Sequence, residues 1–238
     1  MADVPTGDVK PPKMQGRYCV IIPAFNAAQT IGLLVRQIKP QGLASVVVDD
    51  GSQDRTAAVA SAEGALVISH LRNEGKGTAL RTGFQYALRS AFDGVITMDS
   101  DGQHDPGEIP ALIRAGEVQH AGVVLGNRMV NGNAMPRSRR VTNELMSSII
   151  SAVVHQAIPD SQCGFRFIRK EVLQAVPLRA QRFEIETELL LGAASRRWKI
   201  VSVPVRSIYP NGHRSHIRPV WDGLRFVGLI LRHLVTRR

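Results

Sequence analysis

The sequence predicts an α/β fold, a single mainly parallel sheet with helices on both faces, and three observations predict it. Short β-branched runs alternate with helix-length stretches from Tyr18 onward, the strand, helix, strand order of parallel sheets. The 238 residues suffice for one sizeable core and sit near the upper end of what one α/β domain holds. With 44% hydrophobic and 21% charged residues, and 21 Gly and 13 Pro spread along the chain, a disordered, collagen-like or coiled-coil protein is excluded.

Residues 1–16 carry Pro5, Gly7, Pro11, Pro12 and Gly16 without apolar periodicity and read as a disordered leader ahead of a domain over 17–218. Strands are expected at 18–22, 45–48, 65–69, 94–98 and 122–125, where runs such as Val46-Val47-Val48 are short and apolar. Helices are expected after them, at about 27–38, 54–63, 77–91, 107–119 and 140–156. Asp105 before Pro106 has the form of a helix cap, and the Gly-rich run Asn73–Thr78 opens the third helix. Asp160–Arg166 then joins a helix to a short strand, and Phe183–Glu188 opens another helix with acids that complement its dipole. In such sheets ligands bind beyond the carboxyl ends of the strands, which makes the residues after each strand the ones to inspect.

The formal charge of +10 is concentrated: residues 196–238 hold ten Lys/Arg against one acid, Asp222. Such an end needs an anionic partner, and lipid headgroups, a nucleotide or a nucleic acid all qualify. A helix is expected over 219–238, with Trp221, Leu224, Val227, Leu231 and Leu234 on one face and Asp222, Arg225 and Arg232 on the other. It suits a membrane interface, and it also suits packing on the core as a last helix. No run of about 18 apolar residues is free of charge and no signal peptide opens the chain, so the expected location is cytoplasmic, peripheral on the inner face of the membrane. Cys19 and Cys163 are too few for a disulfide framework or a four-cysteine zinc site, which fits a reducing compartment.

After the second strand, Asp49-Asp50-Gly51-Ser52 offers two carboxylates for ribose hydroxyls or a base N–H, although ordinary Asp-Gly turn chemistry explains it too. In Asn73–Thr78 the backbone N–H groups and Lys76 either face an anion or merely start a helix. The fourth strand delivers Asp99-Ser100-Asp101-Gly102-Gln103-His104-Asp105, three carboxylates that repel one another unless a hard cation, Mg²⁺ or Mn²⁺, sits among them and bridges to a diphosphate. The spacing is not that of an EF-hand, and a solvated acidic turn is the alternative. Gly126-Asn127-Arg128 ends the fifth strand, and Arg137, Arg139 and Arg140 follow, as phosphate clamps or as exposed solubility charges.

Taken in order, Val20–Asn26, Val48–Ser52, Asn73–Gly77, Asp99–His104, Gly126–Arg128, Gln162–Arg166 and Glu188 before Val203-Pro204-Val205 resemble family 2 glycosyltransferases of the GT-A (nucleotide-diphospho-sugar transferase) fold. Within that family the likeness is to polyprenyl- or dolichyl-phosphate mannose and glucose synthases, over about residues 18–218. The resemblance implies that Pro23, Ala24, Asn26, Asp50, Lys76, Asp99, Ser100 and Arg128 bind a UDP- or GDP-sugar. It further implies that Asp99, Asp101 and Gln103 hold Mg²⁺ or Mn²⁺, and that Arg140, Arg166, Arg214 and Arg218 face the phosphate of a polyprenyl-phosphate acceptor at a membrane surface.

The reaction expected from it is an inverting transfer in which Asp101, through the metal, and nearby arginines neutralise the leaving diphosphate. A phosphate-monoester acceptor is already anionic and needs no strong base; a hydroxyl acceptor needs a carboxylate, for which Glu188 and Asp160 are the candidates. The alternatives are a transferase of the same fold acting on a glycan or lipid hydroxyl, a nucleotide-sugar sensor, and a nucleic-acid-binding module. The last has the charge it needs, but aromatics are only 5% and no reading helix or stacking platform is present, so no nucleic acid partner is expected.

Overall fold

The computed structural model describes residues 16–130, 135–208, 228 and 230. In chain order the elements are β1 (Tyr18–Ala24), α1 (Ile31–Ile38), β2 (Ala44–Asp49), α2 (Thr56–Ala62), β3 (Leu66–Ser69), α3 (Lys76–Arg89), β4 (Gly94–Thr97), α4 (Ile109–Val118), β5 (Val123–Asn127), α5 (Arg137–Val154), β6 (Arg166–Arg169), α6 (Lys170–Ala175), α7 (Glu184–Ser195) and β7 (Ile200–Pro204). The strands form one sheet in the order β3-β2-β1-β4-β6-β5-β7. Four pairings are parallel, β1 with β2 and β4, β2 with β3, and β5 with β7, while β6 runs antiparallel between β4 and β5.

Alternation along β1 explains why helices cover both faces. Tyr18, Val20, Ile22 and Ala24 pack with Leu34 and Ile38 of α1, Ala60 of α2 and Leu112 of α4. Cys19 and Ile21 pack on the other side with Leu80 and Phe84 of α3, Ile150 of α5, Leu173 of α6 and Leu189 of α7. A strand buried on both sides has no polar face, which is why β1 and β2 read as continuous apolar runs in the sequence. Burial also pushes the Cys19 and Cys163 thiols up to about 12, so neither is a reactive thiolate at neutral pH.

Two helices start away from their expected first residues. Asn26 takes a left-handed φ of 51°, and Thr30 N and Ile31 N both donate to Ala27 O, so residues 25–30 form a loop and α1 begins only at Ile31. Pro136, with φ −54° at the N-cap, lets α5 start at Arg137, ahead of 140. Apart from Gly16, Gly228 and Ile230, the leader 1–16 and the helix 219–238 lie outside the described residues. Gly228 and Ile230 are helical, and Ile230, 8% exposed, joins the α3–α7 side of the core. No helix among the described residues is long and apolar enough to cross a membrane.

Candidate active site

The residues singled out after the strands converge at the carboxyl end of the sheet. Pro23 and Ala24 close β1 and are buried. Asn26 N donates to Ser52 Oγ (2.9 Å) and Asn26 Oδ1 accepts from Gln53 N (2.8 Å), which lashes the loop after β1 to the loop after β2. Asp50, 3% exposed, accepts from Glu74 N (3.0 Å) and Gly75 N (2.8 Å), and its Oδ1 lies 2.8 Å from His70 Nδ1. His70 Nε2 in turn lies 3.0 Å from Thr82 Oγ1. Three of the roughly four acceptor positions of a carboxylate are thereby used on the loop before α3, so Asp50 shapes the Gly-rich turn directly.

A cation already sits against the acid that ends β4. Lys76, the first residue of α3, places Nζ 2.6 Å from Asp99 Oδ1 and 2.9 Å from Glu186 Oε1, and 5.5 Å from the Phe183 ring centre. Burial alone pulls a lysine down and a carboxyl up; here the opposite charges outweigh burial, holding Lys76 above and Asp99 well below their usual ranges. His104 Nε2 stands 3.8 Å from Asp99 Oδ2, with its ring stacked on Phe165. Gly164 makes room for Asp99, since a Cβ there would lie 2.6 Å from Oδ2. Asp101 Oδ1 accepts from Gln103 N (3.0 Å), and the Thr30 hydroxyl donates to Ser100 O.

Among the described residues no three His, Cys, Asp or Glu side chains are arranged around a common metal position. The donor chemistry of Asp99, Asp101 and Gln103 still fits a hard divalent cation, two carboxylates and an amide oxygen, although Asp99 Oδ1 is shared with Lys76.

Other site candidates are committed to structure. Asp160 is fully buried and takes a bidentate pair from Arg128, Nε to Oδ2 at 2.8 Å and Nη2 to Oδ1 at 2.9 Å, with further bonds from Arg128 N and Asn143 Nδ2. Burial would raise its carboxyl, but Arg128 and Asn143 hold it below the ordinary range. A carboxylate so occupied is not placed to take a proton from an acceptor; it orients Arg128. Arg166, 1% exposed, donates to the carbonyls of Cys163 (2.7 Å), Ser161 (2.7 Å) and Glu186 (2.8 Å), so the phosphate contact expected of it is replaced by a tie between the 160–166 loop and α7.

Glu188 Oε2 accepts from Arg179 N (2.8 Å) and Ala180 N (2.9 Å). The acid of α7 that reaches the site is Glu186, two residues earlier and about 200° around the helix. Arg140, half-buried in the first turn of α5, pairs with Glu144 at 2.9 Å. Arg214 and Arg218 lie outside the described residues. His70 and Glu186 are the site residues that sequence reasoning passes over. Glu186 stands in the acidic start of α7, where a helix dipole accounts for it, and only its pairing with Lys76 sets it apart.

The family model for glycosyl transferase family 2 matches residues 19–176. The chain is 30% identical over 213 residues to the UDP-N-acetylglucosamine–dolichyl-phosphate N-acetylglucosaminyltransferase of Methanococcus voltae, covering 80% of this chain and 85% of that one. It is 31% identical over 205 residues to the polyprenol monophosphomannose synthase of Mycolicibacterium smegmatis, covering 79% and 76%. Among solved structures, glucosyl-3-phosphoglycerate synthase from Mycobacterium tuberculosis in complex with Mg²⁺ and UDP matches with a TM-score of 0.70 at 24% identity, over 94% of this chain and 79% of that one, a likeness of fold. A family match over that much of the chain, on a sheet of this topology, makes the protein a member of glycosyl transferase family 2, a GT-A-fold glycosyltransferase resembling the polyprenyl-phosphate sugar synthases.

Proposed function

We propose that the enzyme moves a sugar from a UDP- or GDP-linked donor to a polyprenyl phosphate, with inversion at the anomeric carbon. One observation supports the acceptor class above the others: Asp160 is buried under Arg128, Glu188 is engaged by two backbone N–H groups, and Glu186 is held in an ion pair by Lys76. A hydroxyl acceptor needs a carboxylate base, whereas a phosphate monoester attacks as the anion it already is. The names of the M. voltae and M. smegmatis relatives, which specify dolichyl phosphate and a polyprenol, support the same class.

In this reading Pro23, Ala24, Asn26 and Asp50 frame the nucleoside, while Lys76, Ser100 and Arg128 face its diphosphate. Asp99, Asp101 and Gln103 would hold Mg²⁺ or Mn²⁺, which when bound neutralises charge on the leaving diphosphate. Lys76 keeps Asp99 ionised for that task, and Asp160 keeps the Arg128 guanidinium in one orientation. Arg140, with Arg214 and Arg218, would orient the acceptor phosphate. The domain over 17–218 carries the transfer, and the segment 219–238 meets the cytoplasmic face of a membrane.

The test is a panel of UDP- and GDP-sugars with a short polyprenyl phosphate, with and without Mn²⁺ or Mg²⁺, followed by extraction into organic solvent. Label should pass to the phosphate only when metal is present. Equal transfer to free polyprenol or to a glycan hydroxyl would refute the acceptor class.

A further inference from the structure

Helix α5 buries both polar and apolar side chains on its inner side and carries an apolar stripe on its outer side. Asn143, Ser147, Ile150 and Val154 are buried, and the two polar ones bond to Asp160 and Ser161. Outside, Val141 is 64% exposed, Leu145 62% and Ile149 38%. At about 100° per residue these three stand one per turn, roughly opposite Ile150 and Val154. A surface helix normally buries its one apolar stripe; α5 presents a second one outward over about 12 Å. Its first turn has no acid and carries Arg137, Arg139 and Arg140, with Glu144 paired to Arg140 beside the stripe.

We infer that this face of α5 rests on an anionic lipid bilayer, with Val141, Leu145 and Ile149 at the acyl boundary and Arg137, the exposed first-turn arginine nearest the stripe, at the headgroup phosphates. An outward apolar stripe next to a cationic turn is the complement of such a surface. A second copy of the chain is the rival occupant, but three side chains offer a few hundred Å² at most against about 800 Å² per partner in a stable complex. The purpose of the contact rests on the lipid-acceptor reading. Asn143, on the inner side of the same helix, donates to Asp160, which holds Arg128, so docking α5 brings the transfer site to headgroup level.

Co-sedimentation of the full chain with phosphatidylcholine vesicles containing phosphatidylglycerol tests this. The wild type is compared with Val141→Glu/Leu145→Glu and with Val118→Glu, which puts one of the two negative charges on another exposed apolar position, at the end of α4. The double variant should lose about tenfold or more in vesicle partition while Val118→Glu keeps it. The double variant should also still glycosylate a water-soluble, short-chain polyprenyl phosphate as the wild type does. Should the double variant fail to fold, Leu145→Ser alone serves in its place. Failure of the wild type on that soluble acceptor would count against the acceptor reading and leave the vesicle comparison intact. Equal partition of variant and wild type, or a dimer-to-monomer shift in gel filtration without a vesicle effect, would overturn the inference.

Discussion

Asp160 keeps its charge because Arg128 and Asn143 satisfy it at zero exposure, and that arrangement makes both partners vulnerable. Arg128→Ala leaves a buried carboxylate unpaired, which costs about 3–5 kcal/mol and should show as a lower urea midpoint. The sign of the pH effect follows from the depressed carboxyl. Its contribution is fully present above the ordinary Asp value of about 3.9 and is lost as pH falls below it through the folded-state value. Asp160→Asn should therefore be less stable at neutral pH and flatter on the acid limb; an unchanged acid limb would remove Asp160 from the ledger. Asp101 is the contrast, since its side chain accepts only from the nearby Gln103 N among the bonds described. Asp101→Ala should lower turnover by at least about 10³-fold with little change in thermal midpoint, because several kcal/mol of leaving-group stabilisation is lost while packing is not. Retained turnover, or full activity in excess chelator, would count against a metal at this position.

At the scale of elements, what the sequence reveals depends on how many periods each element carries. β1, β2, β4 and β5 are legible because strands buried on both faces are uninterrupted apolar runs, and the acids that end β2 and β4 stand where the ligand site of a parallel sheet must be. The antiparallel direction of β6 is not legible: Arg166-Phe167-Ile168-Arg169 holds one buried aromatic and one aliphatic, and only pairing to β4 and β5 sets its direction. α6, six residues long, is likewise too short to show a period. Helix phase explains the displacement on α7, where Glu188 is the acid the motif order suggests and Glu186 the one that faces Lys76. Glu186→Gln should lower turnover more than about tenfold, by removing one of the two carboxylates that position Lys76 and leaving its charge to Asp99 alone, with stability little changed. Glu188→Gln should do the reverse, lowering the thermal midpoint through the 179–180 loop while sparing turnover; the opposite ranking would return Glu188 to the site as a candidate base. Gly51 is decisive for the loop after β2. Its φ is +71° and a Cβ would lie 2.4 Å from Arg72 C, so Gly51→Ala adds a left-handed cost of about 1–2 kcal/mol to a backbone clash. Loss of donor binding together with stability is the expected outcome, read by calorimetric titration with UDP and GDP sugars and by urea unfolding.

For the whole molecule the deciding quantity is where charge and apolar surface lie. Ten Lys/Arg against one acid after residue 195 give the end of the chain most of the net +10, and the α5 stripe supplies outward apolar surface. Neither feature alone makes a strong membrane contact: basic residues contribute about 1 kcal/mol each near an anionic surface, and that term fades within a Debye length of about 8 Å at physiological salt. On the proposed docking, the two together should make binding that is steep in salt and incomplete without either part. Ile230 complicates a simple truncation, because it is buried on the α3–α7 side of the core and its removal costs packing as well as charge. Two variants separate those effects. Ile230→Ala in the full chain should cost about 2–4 kcal/mol of stability and keep vesicle binding at low salt. Reversing Arg225, Arg232, Arg237 and Arg238 to Glu should keep the fold and lose most binding to anionic vesicles, with the remaining partition less steep in salt than that of the wild type. If the reversed chain instead bound as the wild type does, the contact would belong to α5 alone. If Ile230→Ala lost vesicle binding without losing stability, the residue would be facing lipid and not the core against which it packs.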